Sequence, residues 1–264
     1  MIDVDPSVAI ELANIDKRIN NRTFDAYRDI VIEPSFVSLA EGSCRVKIGD
    51  TDVVAGVKFA MGTPYPDSLD SGTLTVNAEF LTFASKEFEL GPPREDSVEL
   101  ARVVDRCIRE SQTIDMKKLC ITPGEKVWTV CIDIDIINAD GNLIDAATLA
   151  AMKSLLLAKV PELDETTGRP KFGEKGKIGL PLSKIAVNTT FVKINDKILA
   201  DPCRLEEDAM DARLTVGSFV TLDGNERGLC AMQKGGSGGF TPEEVFSIID
   251  MVDAKADALR NLIK

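Results

Sequence analysis

No histidine occurs anywhere in the 264 residues. That absence removes the Ser-His-Asp and Cys-His nucleophile arrangements, and every zinc site that needs imidazole. No apolar run approaches the length of a membrane-spanning helix. The opening segment MIDVDPSVAIELA is acidic, unlike the basic-plus-apolar pattern of a signal peptide. The six cysteines, at 44, 107, 120, 131, 203 and 230, form no C-x-x-C pair. Four of them sit in apolar or helical stretches, so they read as buried reduced thiols in a cytosolic (cytoplasmic) setting, with no membrane association. A surplus of positive charge is missing too. The net charge of −12 makes nonspecific adhesion to nucleic acid poor, so any such site must be a local basic feature completed by another chain.

What is present describes an ordinary globular protein, 44% hydrophobic and 28% charged. The length allows one large domain or two intimately packed halves. Residues 5–20 read as an amphipathic helix, with Val8, Ile10, Leu12, Ala13 and Ile15 between charges. Strand-like segments follow at 30–39, 43–49 and 52–61, with Gly49-Asp50 as a turn between the last two. A Pro/Gly/Asp loop at 63–72 leads to a strand at 74–83. A helix over 97–111 can be capped by Asp96 or Ser97. The long strand 126–137 places Trp128, Val130, Ile132, Ile134 and Ile136 on one uniformly apolar face, which must be core. An Ala/Leu/Met-rich helix covers 145–159.

A polar segment at 160–177 reads as an exposed connection, and the second half repeats the style. Strands are expected at 184–194, 197–201, 213–222 and 228–234. Thr241-Pro242-Glu243-Glu244 is a strong helix start, with a capping hydroxyl, proline at the first position and a glutamate that can reach back. The expected class is α/β (α+β), with two similar halves of mixed sheets packed against helices. The expected division is an N-terminal helix at 1–20, a first half at 21–160, a connection at 161–177 and a second half at 178–264.

Four features carry possible chemistry. DPCRLEEDAMDARLTV (201–216) gathers Asp201, Glu206, Glu207, Asp208 and Asp211 before Arg213 at the mouth of a strand. It reads either as an acidic active site or as a solvated acidic turn. Arg102, Arg106 and Arg109 lie within a stripe about 60° wide on the 97–111 helix. They offer phosphate contacts, or else they pair with Glu99, Glu110 and Asp105 respectively. KGGSGG (234–239) lacks the order of a phosphate loop and reads as a connection to the last helix. Asp133 and Asp135 share a strand face but have no third ligand nearby in sequence, so a solvent or interface face is the preferred reading.

Taken in order, RTFDAYRDI (22–30), ELARVVDRCIRES (99–111), DGN-x-x-DAA (140–147) and DP…EED (201–208) resemble the RNase PH family of phosphate-dependent 3′→5′ exoribonucleases. The resemblance spans about residues 20–264. It implies that the family's two aspartates, six residues apart, fall on Glu207 and Arg213. A guanidinium can neither act as a general base nor hold a divalent metal. In the family's Gly-Thr-Arg-like phosphate turn, Gly141 survives, but Leu143 and Ile144 stand near the hydroxyl and guanidinium positions. Apolar side chains cannot replace charge-assisted bonds to phosphate.

The resemblance is therefore to the non-catalytic RNase PH-like subunits of archaeal exosome rings. It implies a hetero-hexameric ring of three heterodimers with a catalytic RNase PH-like partner, capped by S1/KH-type RNA-binding proteins and threaded by single-stranded RNA. Arg102 and Arg106, and less directly Arg109, match the arginines that contact the RNA backbone. No catalytic residue, cofactor or metal is assigned to this chain, while phosphate and Mg²⁺ belong to the partner's active site. Two rival readings remain: an autonomous phosphorolytic ribonuclease using Glu207, Asp208 and Asp211, or a purely structural ring component.

Overall fold

A computed structural model describes residues 5–164, 170–171 and 176–264. The chain opens with helix α1 (Ser7–Asn14). Strands β1 (Ile30–Pro34), β2 (Gly42–Ile48), β3 (Thr51–Gly62) and β4 (Thr73–Phe80) then lead to helix α2 (Glu95–Glu110). A short β5 (Cys120–Thr122) and the long β6 (Lys126–Asn138) precede helix α3 (Leu143–Leu157). A two-residue ribbon of β7 (Lys159–Val160) and β8 (Ile178–Gly179) ends the first half. The second half runs β9 (Lys184–Ile194), β10 (Lys197–Ala200), a one-turn helix α4 (Arg204–Asp208), β11 (Ala212–Thr221), β12 (Arg227–Gly235) and helix α5 (Pro242–Ile263).

The first sheet has the order β1-β2-β3-β6-β4, with β5 alongside β6. Its pairs are antiparallel except β4 with β6, so the sheet is mixed. The second sheet, β10-β9-β11-β12, is antiparallel throughout. α3 packs on β2 and β3 of the first sheet and on β9 of the second. That position explains its composition. Ala146, Ala147, Leu149, Ala150, Ala151, Met152 and Leu155 all have no exposure. A helix apolar on all sides is stable only where it is buried on all sides, and its alanines let two sheets approach it closely. The expected core face of β6 is in place, with Trp128, Val130, Ile132, Ile134 and Ile136 all buried.

Some expectations shift. The N-terminal helix ends at Asn14, six residues before the expected limit, and buries Ala9 and Ala13 against Val192, Ile194 and Leu199 of the second half. Val8 and Ile15, expected on its apolar face, are exposed. Asp16, two residues past the helix, takes a left-handed backbone conformation, as do Asn20 and Asn21 in the turn that follows. The chain must turn there because Arg18 is drawn into the interior. The first strand stops at Pro34 instead of 39, since Ser43 Oγ bonds both Val37 N–H and Val37 C=O and folds residues 35–41 into a loop. Of the connection expected at 160–177, residues 165–169 and 172–175 lie outside the described residues. All six cysteines are free, with Cys44, Cys107 and Cys203 buried and the other three half-buried.

Candidate functional site

The acidic segment does not act as one cluster. Its carboxylates separate into a buried clamp (Asp201 and Glu206), a cleft pair (Glu207 and Asp208) and the surface residue Asp211. Asp201, fully buried, accepts from Arg28 N–H (2.8 Å), Arg28 Nε (2.9 Å), Arg28 Nη2 (2.9 Å), Arg22 Nη1 (2.9 Å) and Asn142 Nδ2 (2.8 Å). Glu206 accepts two bonds from the buried Arg18, at 2.7 and 2.9 Å, and also the N–H of Cys203 at 2.9 Å. Burial opposes ionisation of Asp201, but the Arg28 side chain and backbone N–H outweigh it, and its carboxyl lies below the usual carboxylate range. These bonds tie the N-terminal segment to the second half, and Arg28 also reaches the Asp140 and Gly141 carbonyls at the start of α3.

Glu207 points instead into a cleft of about 200 Å³, whose lining includes Leu143, Ile144, Arg204, Asp208, Arg213 and Glu99. The cleft lies at the N-terminus of α3, where orphan backbone N–H groups and the helix dipole favour an anion. The turn that opens it needs Gly141 at φ 79°, because a Cβ there would stand 2.5 Å from the Cys203 carbonyl carbon. Asn142 follows in a left-handed conformation as the N-cap. Its N–H donates to Glu207 Oε1 at 2.8 Å. A carboxylate of the chain itself thus occupies the anion position. Burial pushes the Glu207 carboxyl up to about 7, against the pull of that N–H and of the Arg213 and Arg28 charges.

Arg213, at the start of β11, ion-pairs with Glu99 of α2 across the cleft. Gly235 lies opposite it on β12 and leaves room for its guanidinium, since a Cβ there would sit 2.8 Å from Arg213 Nη2. Leu143 and Ile144 present apolar groups to the same space. Behind the cleft, Asp145 accepts from Tyr27 OH (2.7 Å), Asn142 Nδ2 (3.0 Å), Thr190 N–H (3.0 Å) and Thr190 Oγ1 (2.8 Å). Burial pushes its carboxyl up to about 6 despite those bonds. Asp208 is exposed and lies 3.7 Å from Arg204. Asp211 accepts the Asn195 N–H at 2.7 Å. Asp208 shares the cleft lining with Glu207, and its charge adds to the upward push of burial on the Glu207 carboxyl, while Asp211 is held by the Asn195 turn.

The three arginines of α2 are exposed, but they are not alike. Arg109 bonds Asp105 through Nε (3.1 Å) and Nη2 (2.7 Å), and also the Leu74 carbonyl. Among the described residues, Arg102 and Arg106 have no ion-pair partner. Glu99, which could have reached Arg102, is taken by Arg213. The face opposite the arginines buries Leu100, Val103, Val104, Cys107 and Ile108, which fixes the helix against the core and turns Arg102 and Arg106 outward. Of the other sequence candidates, Asp133 bonds Asn77 Nδ2 at 3.2 Å on an exposed sheet face, and KGGSGG forms the end of β12 and its connection to α5.

Arg18, Arg22 and Arg28 are the structurally decisive residues that sequence reasoning passed over. Arg22 and Arg28 lie in the RTFDAYRDI segment, but nothing local showed that their partners stand more than 170 residues away. Three basic residues before the first strand and two acids before a later one were the only available signal.

Comparison with known proteins follows the same line. Residues 26–161 match the model of the 3′ exoribonuclease family, domain 1, and residues 184–251 match domain 2 of that family. The chain is 44% identical over 249 residues to the exosome complex component Rrp42 of Methanothermobacter thermautotrophicus, covering 94% of this chain and 90% of that protein. Among solved structures, it superposes on a chain of the Archaeoglobus fulgidus exosome with RNA bound to the active site (TM-score 0.87, 41% identity, 98% and 97% of the two chains covered). It also superposes on a chain of an archaeal exosome core (TM-score 0.82, 37% identity, 98% and 96% covered). With both family domains matched in order across one continuous fold, the chain belongs to the RNase PH family of 3′ exoribonucleases.

Proposed function

We propose that this chain is a non-catalytic, RNA-holding subunit of an archaeal exosome core, a phosphorolytic 3′–5′ exoribonuclease ring. In this reading it alternates with a catalytic RNase PH-like partner in three heterodimers, under S1/KH-type RNA-binding caps, in the cytoplasm. It completes the ring, supports the partner's fold at their interface and holds single-stranded RNA. Phosphate and Mg²⁺ serve the partner's active site.

The observation that carries this reading is the filled anion position. Glu207 takes the Asn142 N–H at the mouth of α3, and Arg213 stands across the cleft locked to Glu99. An incoming phosphate would meet a carboxylate where it needs a donor. It would also meet two apolar side chains in place of charge-assisted partners. Glu207 is committed to the Asn142 N–H, and Glu99 is committed to Arg213, so neither is free to hold a metal or move a proton at that point. The unpaired Arg102 and Arg106 support the RNA-holding role, as exposed guanidinium groups free to meet phosphate oxygens.

The test is phosphate-dependent release of nucleoside diphosphates from single-stranded RNA by this chain alone, by its catalytic sister alone and by the two together. The expected outcome is no release from this chain and strong release from the mixture. Robust phosphorolysis by this chain alone would overturn the reading and assign the chemistry to Glu207 in a rearranged carboxylate set.

A further inference from the structure

Cys107 and Cys230 are separated by 123 positions, yet the fold brings the Cys230 sulfur onto Cys107. Cys107 lies on the buried side of α2, one residue after Arg106. Cys230 lies on β12, the edge strand of the second sheet. The β11–β12 register explains how Cys230 points inward. Gly217 pairs with Ala231 and Ser218 with Leu229, which leaves Cys230 as the extra residue of a β-bulge. A bulge re-aims the side chain it carries. Gly217 provides the space: a Cβ there would sit 3.1 Å from the Cys230 sulfur and 3.3 Å from the Cys107 sulfur. Both sulfurs therefore flank one point, and Cys230 Sγ also reaches the Cys107 carbonyl oxygen at 3.6 Å.

The surroundings are unusual for two structural thiols. Arg260 of α5, 3% exposed, lies close enough for its charge to act on both sulfurs, and its Nε has no hydrogen-bond partner. The fully buried Asn188 Oδ1, also without a partner, stands 3.0 Å from the same point beside Gly217. Burial pushes the thiols of Cys44 and Cys203 up to about 11. The Cys230 thiol goes the other way: hydrogen bonding with Cys107 holds it low, and the Arg260 charge adds to the effect. Cys107 is correspondingly raised, first by that same hydrogen bond with Cys230 and then by burial. A half-exposed thiol beside a second, buried thiol, both against one point next to Gly217, is the arrangement of an attacking and a resolving cysteine.

We propose that Cys107 and Cys230 form a redox site, in which a low-molecular-weight disulfide converts the pair into an internal disulfide that fastens the arginine helix α2 to the edge strand β12. The Cys230 thiolate attacks one sulfur of the small disulfide, forming a mixed disulfide and releasing one thiolate. Cys107 then loses its proton and attacks the Cys230 sulfur, expelling the second small thiolate. In total the two cysteines lose two electrons and two protons, and the oxidant is reduced to two thiols. The bond joins the two halves of the fold on the side of α2 opposite Arg102 and Arg106.

The test treats the full chain with graded oxidised glutathione, blocks remaining thiols with N-ethylmaleimide in denaturant, so that the buried Cys44 and Cys203 also react, and maps cysteine peptides by mass spectrometry. The expected product is a Cys107–Cys230 linked peptide lacking two hydrogens, with the other four cysteines alkylated. Its formation should raise the melting temperature by about 5–10 °C, as expected for a disulfide closing a long loop in a chain of this size, and dithiothreitol should reverse the shift. Cys107→Ser should leave a persistent glutathione adduct on Cys230, because the resolving thiol is gone. Full alkylation of Cys230 after oxidation, an adduct on Cys230 that does not resolve in the unsubstituted chain, or a different pairing would each overturn the proposal.

Discussion

Replacing Asp201 with alanine should be among the most damaging single changes outside the apolar core. The carboxylate is fully buried and accepts five hydrogen bonds, four of them from Arg22 and Arg28. Removing it does not merely delete those bonds. It strands the Arg28 guanidinium, whose side chain is 6% exposed, with Asp140 as its remaining acid at 3.1 Å. Breaking a buried pair from one side costs about 3–5 kcal/mol, mostly because an uncompensated charge stays inside. For a chain of this length that corresponds to a fall in melting temperature of roughly 10 °C. Urea unfolding followed by circular dichroism would measure the loss directly.

Adding Arg28→Met to Asp201→Ala should recover about 1–3 kcal/mol, because the stranded charge leaves with its partner. The effect also has a pH signature. The folded carboxyl lies below its ordinary value of 3.8, so its contribution is complete above about pH 4 and is lost as pH falls through the lower folded value. The gap between the unsubstituted protein and Asp201→Ala should therefore close in acid. A loss below about 0.5 kcal/mol at neutral pH, the size of an ordinary surface change, would show that the clamp does not hold the two halves. So would a double variant no more stable than the single one.

Three further outcomes follow from the same geometry. Arg102→Glu with Arg106→Glu should weaken RNA binding by the assembled complex and flatten the log–log salt dependence by about 1.4, the value for two lost single-strand phosphate contacts; an unchanged slope in a salt titration would remove these residues from the RNA path. The Glu207 carboxyl is raised from 4.5 to about 7 in the folded chain, so its protonated form stabilises the fold and stability falls as pH rises through that interval. Glu207→Gln should make the urea midpoint less dependent on pH between about 4.5 and 7, and an identical profile would count against burial of that group. Thr241 Oγ1 accepts the Glu244 N–H at 3.2 Å, and Glu244 Oε2 accepts the Thr241 N–H at 2.8 Å. Thr241→Ala should therefore cost about 1 kcal/mol in urea unfolding, whereas a neutral result would mean the cap frays in solution.

Features written in neighbouring residues were readable from the chain alone. The alternation along β6 identified its core face, because side chains two apart share a side of a strand. The Thr-Pro-Glu-Glu start of α5 was legible because a capping box closes within four residues. The identity of the family was legible from the order of the RTFDAYRDI, ELARVVDRCIRES, DGN-x-x-DAA and DP…EED segments. The N-terminal helix was read too long because its hydrophobic spacing continues past Asn14. There Arg18 enters the interior, bonded to Glu206 and to the carbonyls of Phe24, Ala26 and Asp201. Likewise, Arg109 separates from Arg102 and Arg106 because Asp105 holds it within its own helix, while Glu99 is drawn away by Arg213 from another element.

Residue order alone carried the class of fold, the order of its two halves and the absence of histidine. Those depend on local periodicity, capping and residue identity. Tertiary structure alone decided which acids are clamps and which one fills the anion position. It also decided which arginines stay unpaired and which two sulfurs meet. Each of those outcomes joins residues of different elements, from 65 positions apart for Asn142 and Glu207 to 188 for Arg18 and Glu206. Charge and burial act through space, so such partners are chosen by the packing of α3 between two sheets and not by any pattern along the chain.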